Sequence, residues 1–144
     1  MLFGDDRNEL RNFYFQAWKK YREQRPLEAI EQQIATVVSE HPEYINTIEN
    51  PDKFQDKDYD ERSGEANPYL HLGLHLAIRD QIQTNLPAGI QPLYAKLNTQ
   101  YTSHLDLEHA IMPILFEEIY AMQHNKTEFS AENYLEKIRG LLQT

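Results

Sequence analysis

Apolar residues recur every three or four positions through most of this chain, which is the spacing of one face of an α-helix. In the first such segment, Leu10, Tyr14, Ala17 and Tyr21 follow this spacing. A half-buried strand would instead require apolar and polar residues to alternate, and no alternating run of useful length is present. The sequence therefore predicts an all-α fold.

Capping and helix-breaking residues divide the chain into about six helices. Helix starts are indicated by serine, aspartate or asparagine before an apolar periodic run, and by proline in a first turn. The expected segments, in order, are a helix capped by Asp5 or Asp6 that ends near Gln24, one from Pro26 to Glu40, a short piece over 43–48, and helices over 67–84, 90–101, 103–122 and from Ser130 onward.

One stretch interrupts this pattern. Residues 51–66 have mixed charge, few apolar side chains and the pair Ser63-Gly64, a composition typical of a solvated loop. The whole chain, 1–144, is short enough to form one domain with a single core. We therefore expect a single-domain helical bundle with one long charged loop.

Composition excludes several classes of function. The net charge of -9 repels phosphate backbones and anionic membranes, so we expect no direct contact with nucleic acid. The chain has no cysteine, which removes disulfides and thiolate ligands. No apolar run approaches the roughly 20 residues that span a bilayer, and the first residues have no apolar leader, so a cytoplasmic protein is expected.

Two histidines four residues apart lie within the most apolar segment of the chain, residues 67–79. His71 and His75 share one face of the expected helix with Ile78 and Ile82, because residues at this spacing are neighbours on a helix surface. Asn67 is a good N-cap and Pro68 a good first helical residue. This face is predicted to be buried, and a buried imidazole needs a polar partner or a metal ion.

A third histidine extends this candidate site. His109 lies in the expected helix over 103–122, and Pro113 removes the amide that would bond its carbonyl, which predicts a kink there. An alternative is that this helix starts later, near Met112. If the helix bends inward, Glu117 can supply a carboxylate; the alternative is that Glu117 lies on a solvated face. Two histidines from one helix, a third from another and a carboxylate would suit one divalent ion, zinc or iron.

Several short segments resemble the signature of a family of small bacterial proteins known only as a domain of unknown function. These segments are His41-Pro-Glu-Tyr44, Asn67-Pro-Tyr-Leu-His71, His75-Leu-Ala-Ile-Arg-Asp-Gln81, Pro87-Ala-Gly-Ile90 and Glu108-His109 with Met112. The resemblance implies that His41 belongs with His71, His75 and His109 as a fourth candidate ligand. It implies no activity, substrate or cofactor. Tyr69, Asp80 and Pro113 depart from the expected pattern.

The sequence favours the first of two functions and leaves the second as the alternative, and it does not decide whether the protein is an enzyme. In the first, this is a structural or interaction module with buried histidines, and a protein partner meets the loop or the N-terminal aromatics. In the second, it is a metal-binding helical protein, for which a metal-dependent hydrolase or redox enzyme is one option; His71, His75 and His109 are its ligands and His41 or Glu117 completes the shell. The N-terminal aromatics are expected mainly in the core: Phe13, Tyr14, Phe15, Trp18 and Tyr21.

Overall fold

The structure, a computed structural model, describes residues 7–59 and 67–143. Within these ranges all regular structure is helical, which confirms the all-α prediction. In the part of the chain that the structure describes, a 3₁₀ helix, Pro42–Tyr44, accompanies eight α-helices. These are α1 Arg7–Arg22, α2 Ala29–Ser39, α3 Ile45–Glu49, α4 Pro51–Phe54, α5 Pro68–Thr84, α6 Ile90–Asn98, α7 His104–Asn125 and α8 Ala131–Arg139.

The chain forms two compact units that divide after Leu76, within α5. The first unit has an apolar core to which α1, α2, α3 and the start of α5 contribute. Burial of these side chains removes apolar surface from water, at about 25 cal/mol per Å², and this orders the short helices that propensity alone would not hold. The members of this core are Tyr14, Phe15, Ala17, Trp18, Ile34, Ala35, Val37, Val38, Ile48, Tyr69, Leu72 and Leu76.

The second unit contains the end of α5 together with α6, α7 and α8. Its buried face is aliphatic, with Tyr134 fully buried on α8. Between α5 and α6 the chain turns at Asn85, whose side chain accepts hydrogen bonds from the amides of Gly89 at 3.1 Å and Gln91 at 2.9 Å. Gly89 has a φ of 103°, which glycine adopts without steric cost.

The predicted capping residues are confirmed where the structure describes them. Asn67 Oδ1 accepts from the amide of Tyr69 at 3.0 Å, and α5 runs from Pro68 to Thr84 as expected. Ser103 and Ser130 cap α7 and α8. The proposed caps Asp5 and Asp6 lie outside the described residues.

Other boundaries differ from the prediction. The second helix begins at Ala29 instead of Pro26, because Glu31 Oε1 accepts from the amide of Glu28 at 2.9 Å and so caps the helix there. Pro51–Phe54 is helical, so the expected loop over 51–66 does not begin at Pro51; its part from 60 to 66 lies outside the described residues. The short piece expected over 43–48 corresponds to α3, Ile45–Glu49, so among the described residues α4 is the helix that the sequence did not predict.

The long helix α7 continues through Pro113, so it does not start near Met112. The kink expected at this proline stays a prediction, as does the single domain. Of the helices that the structure describes, none is both long enough and apolar enough to span a membrane.

Three of the N-terminal aromatics are buried, as expected for core residues: Tyr14, Phe15 and Trp18. The other two are partly in solvent, with Phe13 42% and Tyr21 43% exposed. Consecutive aromatics on a helix point in different directions, so one buried face cannot take them all.

Candidate metal centre

His71 and His75 lie one turn apart on α5, and their rings meet. The two Nε2 atoms are 3.2 Å apart, and the ring centroids are 4.9 Å apart. His75 is fully buried and His71 is half-buried. The shared, buried face predicted from the spacing is therefore confirmed for His75, and His71 lies at its edge.

His41 reaches the same point from a different part of the first unit. It follows α2 and precedes the 3₁₀ helix, and it is only 2% exposed. Its Nε2 lies 3.1 Å from Nε2 of His75. We call His41, His71 and His75 the histidine cluster.

The tautomer of His41 follows from the hydrogen bond that its other ring nitrogen, Nδ1, makes. Nδ1 lies 2.8 Å from the carbonyl oxygen of Val37. Because a carbonyl can only accept, Nδ1 carries a proton and donates it, so in the neutral ring Nε2 has a lone pair. Metal-bound histidines commonly make this same hydrogen bond, which fixes the tautomer and the ring orientation.

The spacing of the three Nε2 atoms suits a single ion. With metal–nitrogen bonds of about 2.0 to 2.1 Å, neighbouring ligand nitrogens lie about 2.8 to 3.4 Å apart, depending on whether the angle is octahedral or tetrahedral. The observed separations from His75 are 3.1 and 3.2 Å. The ligand atoms of His41 and His71 lie within 4.8 Å of each other. The histidine cluster therefore has the separations of a metal site.

Direct imidazole–imidazole hydrogen bonds fit these positions less well. A neutral ring nitrogen holds either a proton or a lone pair. If Nε2 of His75 donates to both neighbours, which lie at 3.1 and 3.2 Å, one proton is shared between two acceptors. A metal ion accepts the lone pairs of all three nitrogens at once.

Tyr44, on the 3₁₀ helix, contacts two rings of the cluster. Its ring is parallel to that of His41, with an interplanar angle of 7° and centroids 5.8 Å apart. It meets His71 edge to face at 5.6 Å. Periodicity and spacing do not predict this contact; Tyr44 is the last residue of the segment His41-Pro-Glu-Tyr44, which carries part of the family resemblance.

The other two predicted ligands belong to the second unit, on α7. His109 is exposed, and so is Glu117, whose side chain is 70% accessible and whose carboxylate lies 3.8 Å from Nζ of Lys137. The neighbouring Glu118 is buried and pairs with the same lysine at 3.0 Å. The roles predicted for His109 and Glu117 as ligands stay predictions.

The fold and the cluster together define an all-helical protein with three converging histidines. The chain belongs to the family described as a domain of unknown function, DUF1841, whose model matches residues 6–140. This confirms the family resemblance seen in the sequence. The comparison with curated proteins returned no match, and the comparison with solved structures returned none either.

Proposed function

We propose that this protein binds one transition-metal ion through the Nε2 atoms of His41, His71 and His75. The observation that carries the proposal is the convergence of these three atoms, with separations of 3.1 and 3.2 Å about His75. Two of the rings are buried, and His41 is held in the tautomer that a ligand needs.

The donor set narrows the choice of metal. Imidazole nitrogen suits zinc, iron, cobalt, nickel and copper, whereas calcium and magnesium prefer oxygen ligands. Zinc and iron, the ions expected from the sequence, both belong to the first group. The sequence predicts two further ligands on α7: His109 beside His71 and His75, and Glu117 as the alternative to His41.

The test is metal analysis of protein purified without a histidine tag. We expect about one equivalent of metal, either as purified or after reconstitution and desalting, because the three histidines together can hold one ion through their neutral rings. His71→Ala and His75→Ala should each lose it. His124→Ala is the matched control, since His124 is an exposed histidine at the end of α7. A content below about a tenth of an equivalent for zinc, iron, cobalt, nickel and copper alike would refute the proposal.

The variants His109→Ala and Glu117→Gln test the two predicted ligands of the second unit. Loss of metal from His109→Ala, with Glu117→Gln unchanged, would support the histidine. The reverse result would support the carboxylate.

Thermal unfolding gives an independent measurement. A metal present at about 100 times its dissociation constant should stabilise the folded state by about 2.7 kcal/mol, and the increase in Tm should be absent in His75→Ala.

A structural role for the histidines is the second candidate. The hydrogen bond from His41 to the Val37 carbonyl favours it, because this bond also satisfies a buried ring in a metal-free core. In that case His75→Ala should lower Tm equally with and without added metal.

A further inference from the structure

We infer that Tyr44 is a positioning residue of the metal site, which holds two ligand rings in place before the ion arrives. This inference rests on the proposed function. It concerns a residue that is not itself a ligand and that the sequence marks only as the end of the segment His41-Pro-Glu-Tyr44.

The position of Tyr44 links two segments that are far apart in the chain. One face of its ring lies against His41, in the connection after α2, and it meets His71, on α5, edge to face. The two histidines also contact each other, with centroids 5.0 Å apart. The three rings therefore form one packed group, and Tyr44 contacts both histidines from within it.

His71 is the ligand for which such support matters most. His41 is fully buried and donates to the Val37 carbonyl, and His75 is buried to 0% exposure. His71 is only half-buried, so a ring at this position has more rotational freedom unless a neighbour restricts it. Tyr44 is also half-buried and supplies this neighbour.

A restricted ring contributes to affinity through entropy. Without the Tyr44 ring, the two histidine rings are less ordered in the metal-free protein. The conformational entropy that they lose on becoming ordered then weakens metal binding. For two side chains this corresponds to metal binding that is weaker by about tenfold.

The decisive experiment compares two substitutions at this position. Tyr44→Phe keeps the ring and should bind cobalt(II) with wild-type affinity and a wild-type d–d absorption spectrum. Tyr44→Leu removes the ring and should bind cobalt(II) about tenfold more weakly, with a changed spectrum and faster release to EDTA. Rescue by phenylalanine would show that the ring positions the ligands and that the hydroxyl is not needed.

The chain contains a matched control outside the site. Tyr120 also stacks parallel to a histidine, His124, at 8° and 5.5 Å, but on the exposed face of α7. Tyr120→Leu removes an equivalent tyrosine–histidine stack, and its cobalt affinity and spectrum should equal those of the wild type.

Two results would overturn the inference and leave metal binding intact. One is wild-type affinity and spectrum in Tyr44→Leu. The other is the same loss in Tyr44→Phe as in Tyr44→Leu, since the ring would then not be the part that matters. If the wild-type protein itself takes up no cobalt, the proposed function fails as well, and the metal content of the same samples distinguishes these cases.

Discussion

Both units of this molecule bury polar side chains with complementary partners, as Glu31 with Lys20 in the first unit, but only the first also contains a buried group of like side chains. In the second unit the partners are complementary: Arg79 Nε donates to Glu108 at 3.0 Å, Lys137 pairs with Glu118 at 3.0 Å, and the Tyr134 hydroxyl donates to Gln81 at 2.6 Å. In the first unit three imidazole rings converge, and each points its Nε2 atom at the others. Complementary pairs satisfy each other and so specify packing. Three ring nitrogens that converge are instead the arrangement that suits one bound ion.

The hydroxyls of buried tyrosines also differ between the two units. Tyr14 and Tyr69 belong to the first unit, and neither hydroxyl has a hydrogen-bond partner among the described residues. Burial raises the pKa of Tyr69 to about 12, and it also raises that of Tyr14. Tyr134 in the second unit is equally buried and does have a partner. Substitutions can therefore test whether these partners matter.

The largest effect is expected at the ion pair of the second unit. Arg79→Met would leave the carboxylate of Glu108, which is 2% exposed, without this cation. We expect the free energy of unfolding to fall by about 2 kcal/mol, less than for a pair fully shielded from water, because Arg79 is partly exposed. Urea unfolding measures this loss.

The double variant Arg79→Met/Glu108→Leu is the control for that experiment. It removes both charges, so it should recover most of the lost stability. If the single variant is as stable as the wild type, the pair does not specify packing and the comparison between the units is weakened.

A smaller, paired effect is expected at the tyrosines. Tyr134→Phe removes the hydrogen bond to Gln81 and should cost about 1 kcal/mol. Tyr14→Phe removes a hydroxyl with no partner in the described part of the chain and should be neutral or slightly stabilising. Both are measured as the free energy of unfolding in urea. An equal loss of unfolding free energy in Tyr134→Phe and Tyr14→Phe would contradict the difference between the two hydroxyls.

The smallest effect concerns pH and the one buried carboxylate at the start of α2. The amide of Glu28 and the ammonium of Lys20 donate to Glu31 and hold its pKa below the ordinary value of 4.5. The lowered pKa means that the folded state favours the ionised form. Its contribution to stability is complete above that ordinary value and is lost as the pH falls through the lower pKa of the folded state.

Glu31→Gln should therefore reduce the decline in stability between about pH 5 and about pH 3, as followed by urea unfolding at each pH. Glu132→Gln, at an exposed position in the first turn of α8, is the control and should retain the wild-type decline. An unchanged profile in Glu31→Gln would show that the cap does not couple stability to pH.

Local features were predictable from the sequence because their causes are local. The Asn67-Pro68 pair specified the start of α5, and the spacing of His71 and His75 specified their common face. The caps Ser103 and Ser130 likewise marked α7 and α8. In each case the signal and the structure lie within a few residues of each other.

Features that depend on tertiary packing were not predictable in this way. Nε2 of His41 meets that of His75 across 34 residues of sequence. Only the folding of α2 against the rest of the first unit brings them together, and the family resemblance, not periodicity, suggested His41. The contacts of Tyr44 with two rings have the same origin, so the sequence offered the segment but not its role.

The hydrogen bond between His41 and Val37 has one further consequence. Its acceptor is a main-chain carbonyl in the last turn of α2, where carbonyls have no amide of the helix to bond. Replacing the Val37 side chain leaves this oxygen in the chain. Side-chain substitutions at Val37 therefore do not change the tautomer of His41. Only a change in the backbone path at this end of α2 would remove the hydrogen bond that fixes it.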